Sequence, residues 1–175
     1  MSENLKYRNE EDKSYGLAGM AISIVMWDCD EMLGAVDLDA ETGQGLEMTP
    51  EYYFTGNPSL SAKAAWERMV ANFRLTTAMT LGNIMCRRLI FDHKPISQEL
   101  KQTLLDHVLE EGRETCALDD DECTQVFEKC YVYSHRVFNH YGVMSIATDF
   151  ARTLRDRRRM TNGDVLDALS ALNSL

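Results

Sequence analysis

The chain has 175 residues, 45% of them hydrophobic, and a net charge of −10 from 28 acids against 18 basic residues. That length is an ordinary single domain and that apolar fraction fills a core, which excludes a disordered chain or a simple linker. The acidic balance argues against broad attraction to nucleic acid or anionic lipid and leaves room only for a local basic patch.

Taken in chain order, residues 1–13 are polar and charged and read as a flexible N-terminal tail. From Ser14 to about Leu33 the spacing of Leu17, Met20, Ala21, Ile24 and Val25 predicts a buried helix, apolar nearly all round. Its apolar run, Gly16–Trp27, is short of the roughly 20 residues that span a bilayer. The charges flanking that run are unlike a signal peptide. Asp28, Asp30 and Glu31 crowd the C-terminal end, where the helix dipole disfavours them. Val36, Leu38 and Ala40 alternate with acids, Gly43-Gln44-Gly45 follows, and Leu46 and Met48 alternate again, which predicts a two-stranded hairpin. Tyr52-Tyr53-Phe54 then forms an aromatic cluster.

The longest element is expected from Ser59 to Asp92, opened by Asn57-Pro58 and stopped by His93-Lys94-Pro95. Its main stripe runs through Ala65, Met69, Phe73, Thr77, Leu81 and Ile84, while Leu75, Met79 and Met85 lie off it. Ser97 caps a helix bearing Leu100, Leu104 and Val108, which Gly112 ends or weakens. Asp119 with Glu122 makes a capping box for a helix carrying Cys123, Phe127, Cys130 and Val137, with Gly142 as its stop. A helix with Val143, Ala147, Phe150 and Leu154 follows and ends in arginines. Thr161 and Asp164 box the last helix, with Val165, Leu169 and Leu172 on its apolar face.

Candidate chemistry is sparse. His107, Glu111 and Glu114 stand at helical spacing and are the best metal candidates. Carboxylate-bridged di-iron bundles use Glu-x-x-His pairs, however, and no histidine here has Glu three residues before it. Glu111-x-x-Glu114 also supplies one of the two pairs that magnesium-dependent helical nucleotide pyrophosphatases use, with no convincing second. Asp37-x-Asp39-x-Glu41 begins like a calcium loop, but the required glycine and glutamate are Thr42 and Met48. Cys116, Cys123 and Cys130 fall seven apart, which is core spacing rather than zinc spacing. The five cysteines form no close pair and read as reduced thiols, so the expected location is cytoplasmic.

Arg152, Arg155, Arg157, Arg158 and Arg159 are the candidate phosphate-binding residues, and the helix–turn–capped helix around them invites comparison with DNA-reading units. The segment Arg157–Leu169, with its basic loop and Thr-x-x-Asp-Val, also resembles the close of a histone-type fold, a likeness that implies nucleic-acid contact. The competing expectation, preferred here, is that these arginines neutralise a helix end and pair with the acidic segments.

These readings combine into an all-α fold, a bundle of five or six helices around one long central helix, with a small β-hairpin or ordered loop near residues 36–49. Residues 14–175 form a single helical domain. The expected function is a cytoplasmic interaction or regulatory protein, self-associating as a homodimer, without cofactor or membrane. Tyr52, Tyr53, Phe54, Met79 and Met85 are the candidate partner-binding residues. A metal-dependent hydrolase or ligand-binding bundle using His107, Glu111 and Glu114 is the alternative. A nucleic-acid-binding protein using the arginines is a further one.

Overall fold

Side-chain caps set most of the helix starts in the structure, a computed structural model that describes residues 5–53 and 61–175. Asn9 opens helix α1 (Glu10–Met26) by accepting the Asp12 N–H, and three acids in the first turn suit the positive end of the dipole. Asp28, with φ of 54°, turns the chain out of the helix. A 3-10 turn leads into strand β1 (Leu33–Asp37), which pairs antiparallel with β2 (Leu46–Met48) as the expected hairpin. Helix α2 (Pro50–Tyr53) follows.

Helix α3 (Ala62–Met85) is capped by Ser61 and continues as a π-helical segment, Cys86–Phe91. The expected start at Asn57-Pro58 lies outside the described residues. His93, with φ of 52°, completes the stop before Pro95. Helix α4 (Gln98–Cys116) is capped by Ser97, and α5 (Asp120–Phe138) by the Asp119/Glu122 box. His140 caps α6 (Tyr141–Arg157). Strand β3 (Arg159–Thr161) adds to the free edge of β1, giving the order β2-β1-β3. Thr161 and Asp164 then box α7 (Asn162–Leu169).

The result is an all-α bundle with a small three-stranded antiparallel sheet. Helices α1 and α3 form its central pair. They cross at Gly19 and Gly82, where a Cβ on either residue would collide with the backbone carbonyl of the other. α5 and α4 cover the far side of α3, and α6 covers the far side of α1. α1 is therefore enclosed, as its all-round apolar sequence requires, with Ala18, Ala21, Ile22 and Ile24 fully buried.

The enclosure also corrects the reading of α3. Leu75, Met79 and Met85 are buried in the core, at 3%, 5% and 0% exposure, because α3 has neighbours on more than one side. Apolar residues off the main stripe meet α1 or the cleft beside it, so Met79 and Met85 present no outer face to a partner helix. Only the first turns of α3 are open, with Trp66 at 42% exposure.

Three local expectations also differ. α1 starts at Glu10, and residues 5–9 are tied down rather than trailing. The buried Arg87 donates to the carbonyls of Leu5 (3.1 Å) and Lys6 (2.6 Å), and Arg8 donates to Asp12 and Asp92. Gly112 does not end α4; it lies buried where the Phe73 ring and the Cys123 thiol press on the helix. α5 ends before Gly142, whose N–H instead donates to His140 Nδ1 at 3.1 Å.

Candidate functional site

A cleft of about 390 Å³ opens where the hairpin and α2 lean against the central pair. α1 contributes Leu17 and Met20, β2 contributes Leu46 and Met48, and α3 contributes Met79 and Ile84. The walls are thus mainly aliphatic and thioether, in the size range of small-molecule sites. Tyr52 and Tyr53 form one rim, packed edge to face with ring centroids 5.1 Å apart. Phe54 lies outside the described residues.

Two pairs of polar groups in the cleft are fixed by hydrogen bonds. Tyr52 Oη and Thr76 Oγ1 are 2.5 Å apart, and Asn72 donates to the Tyr52 carbonyl at 2.7 Å. On the opposite rim Asn83 Nδ2 donates to Tyr7 Oη at 2.7 Å, beneath the Arg87 guanidinium. Burial pushes both phenols up, partly offset by these hydrogen bonds, so both rings stay neutral donors at ordinary pH.

At the α3–α4 seam a second cavity of about 70 Å³ adjoins the cleft, sharing Thr76, Thr80 and His107 with it. Glu111 and Thr77 complete its polar lining. Thr77 is 2% exposed, and its Oγ1 has no hydrogen-bond partner among the described residues. A helical threonine ordinarily donates to the carbonyl four residues back, so this hydroxyl has forgone its usual bond. His107 and Glu111 therefore do meet in one place, as their i, i+4 spacing implied. Glu114 is exposed and borders neither cavity. Among the described residues no three His, Cys, Asp or Glu side chains form a group able to hold a metal.

The arginines meet carboxylates. Arg158 bridges Glu10 (2.8 Å) and Asp39, and Arg159 bridges Glu47 (2.5 Å) and Asp37 (3.2 Å). Arg155 reaches Glu11 (3.4 Å) and donates to Ser14 Oγ, Arg157 meets Asp164 (3.2 Å), and Arg152 meets Asp149 (2.5 Å). These contacts join the end of α6 to α1 and the hairpin, so the basic run serves as a brace between elements.

The thiols offer no nucleophile. Cys86, Cys116, Cys123 and Cys130 are buried, and burial pushes the Cys130 thiol up to about 12. Cys29, half-buried, is likewise raised by burial and by the acids around it.

Sequence reasoning missed Tyr7, Asn83, Thr77 and Thr80 as lining residues. Thr76-Thr77-x-x-Thr80 in an otherwise apolar helix is the signal that marks them, because hydroxyls in a core stripe need a partner. No family model matches the chain, and neither the curated proteins nor the solved structures contain a match. No helix among the described residues is long and apolar enough to cross a membrane.

Proposed function

We propose that this protein is a binding protein for a small amphipathic molecule, taken up in the cleft between the central helix pair and the hairpin. The observation that carries this reading is the pairing of a mainly apolar cavity of about 390 Å³ with a short row of polar groups at its α3–α4 end. An apolar cleft with a few placed polar groups is the usual form of a small-molecule site. Free, mostly buried cysteines support a reducing, cytoplasmic setting.

The test is titration with Nile red, a neutral solvatochromic dye, against wild type and Met20→Trp. Met20 is half-buried on the α1 wall, and a bulkier ring there fills the cleft. The expected result is saturable, one-to-one binding by wild type, weakened at least roughly tenfold by Met20→Trp with little loss of melting temperature. Dye binding unaffected by that change would place it elsewhere and refute the reading.

Self-association is a second reading, favoured by one observation. Trp66 is 42% exposed on the open turns of α3 and borders a shallow groove with Val70, Leu118 and Val126.

A further inference from the structure

We propose that the α3–α4 end of the cleft is an ammonium subsite, and that the ligand is an organic amine with an apolar or aromatic body. The proposal rests on the cleft being a binding site and names what its polar end selects.

Four polar side chains face the small cavity without side-chain hydrogen bonds to any described residue: Thr77, Thr80, His107 and Glu111. Thr77 is the strongest indicator, since a hydroxyl that is both buried and unpaired is destabilising unless a bound group meets it. Among the described residues, Glu111 is the only carboxylate that lines either cavity, and no Lys or Arg lines them. Arg68 lines a neighbouring pocket along α3, which Glu111 also borders, and it has interactions of its own. Apart from the His107 imidazole, the charge that the described lining presents at the seam is the Glu111 carboxylate.

The hydrogen-bonding inventory narrows the choice. A primary ammonium has three donors and no acceptor, and the site offers three oxygen-bearing acceptor groups without side-chain partners among the described residues, the Glu111 carboxylate and the Thr77 and Thr80 hydroxyls. A ligand carboxylate would face Glu111 and be repelled, with no Lys or Arg in the described lining to compensate. A neutral hydroxyl would bond but leave the Glu111 charge unmatched. A divalent metal would find one carboxylate, one imidazole and hydroxyls, short of the usual ligand sets. The cleft beyond supplies aliphatic walls and the Tyr52 and Tyr53 rings for the body of the molecule. The Tyr52 hydroxyl meets Thr76, which lines both cavities.

Phenethylamine, phenethyl alcohol and hydrocinnamate share one body and differ only in the head, so they separate these cases. Each is titrated calorimetrically at neutral pH into wild type, Glu111→Gln and Thr77→Val, and each competes against bound Nile red. The expected order is amine first, alcohol roughly tenfold weaker, and acid weakest. Glu111→Gln should weaken the amine roughly tenfold and the alcohol far less, and Thr77→Val should weaken the amine less than Glu111→Gln does. Circular dichroism checks that both variants fold. Equal affinity for amine and alcohol, preference for the acid, no amine binding, or indifference of the amine to Glu111→Gln each overturns the subsite. If Nile red still binds, the cleft reading survives that failure; if Nile red does not bind wild type, the cleft reading has failed first.

Discussion

Replacing Asp12 by Ala removes the carboxylate on which two arginines converge. Arg87 donates to it through Nε (2.9 Å) and Nη2 (2.7 Å), and Arg8 through its backbone N–H (2.9 Å) and Nη2 (2.7 Å). Asp12 is fully buried and Arg87 is 3% exposed, so the variant leaves a buried guanidinium with only amide and carbonyl acceptors. Stranding one member of a buried pair costs about 3–5 kcal/mol. For a chain of this length each kcal/mol lowers the melting temperature by about 3 °C, so the expected fall is about 9–15 °C. Burial alone would raise the Asp12 pKa, but the bonds from Arg87 and Arg8 outweigh it and hold the carboxyl well below its ordinary value near 4. A depressed folded-state pKa gives stability that is fully present above the unfolded value. That stability is lost as pH falls through the folded one. The gap between wild type and Asp12→Ala should therefore be constant above about pH 5 and shrink steadily below about pH 4. Melting curves by circular dichroism from neutral to acid pH measure both. A fall under about 3 °C, or a gap that does not narrow in acid, would refute the account of Asp12 as the anchor of the N-terminal segment.

Ala117 closes α4 with φ of 50° and is exposed, so Ala117→Gly relieves left-handed strain and should raise stability by about 0.5 kcal/mol after the entropy of the freer chain is counted; a lower melting temperature would contradict this. Wild type should bind duplex DNA no tighter than ~10 μM at physiological salt, because Arg152, Arg155 and Arg157–Arg159 face carboxylates of this chain. A steep salt slope with nanomolar affinity in a filter-binding assay would overturn that. If Trp66 mediates self-association, light scattering at ~100 μM should show a dimer that Trp66→Ser converts to monomer, and a wild-type monomer at that concentration removes the idea.

Local chemistry made much of the fold legible. Ser97, the Asp119/Glu122 box and the Thr161/Asp164 box each need only residues within one turn, and each opens the helix it announced. Features that depend on distant residues were not legible. β3 is three residues long and exists because β1, over a hundred residues earlier, presents an edge to it. Asp12 sits in a charged run that reads as solvated tail, and nothing nearby reveals that Arg87 awaits it across the core. Gly112 carries the same ambiguity: a glycine after an apolar stripe suggests a stop, whereas here it is the space that Phe73 and Cys123 occupy.

The site was legible to the same extent and for the same reason. His107, Glu111 and Glu114 share a helix side by simple spacing, but the cavities between α4 and α3 are bordered by His107, Glu111 and Thr115, four residues apart. That line drifts with the helical period and leaves Glu114 to the solvent. The donors and acceptors that complete the arrangement come from α3, where the helical stripe takes in Thr77 as a core position, since hydroxyls tolerate burial when bonded, and passes over Thr80. A single helix read alone therefore shows which carboxylate and imidazole travel together. Whether they meet a metal, a solvent face or another helix is decided by the seam. At this seam they face the hydroxyls of Thr77 and Thr80, and Thr77 is buried with no hydrogen-bond partner among the described residues, which is the observation on which the proposed ammonium subsite rests.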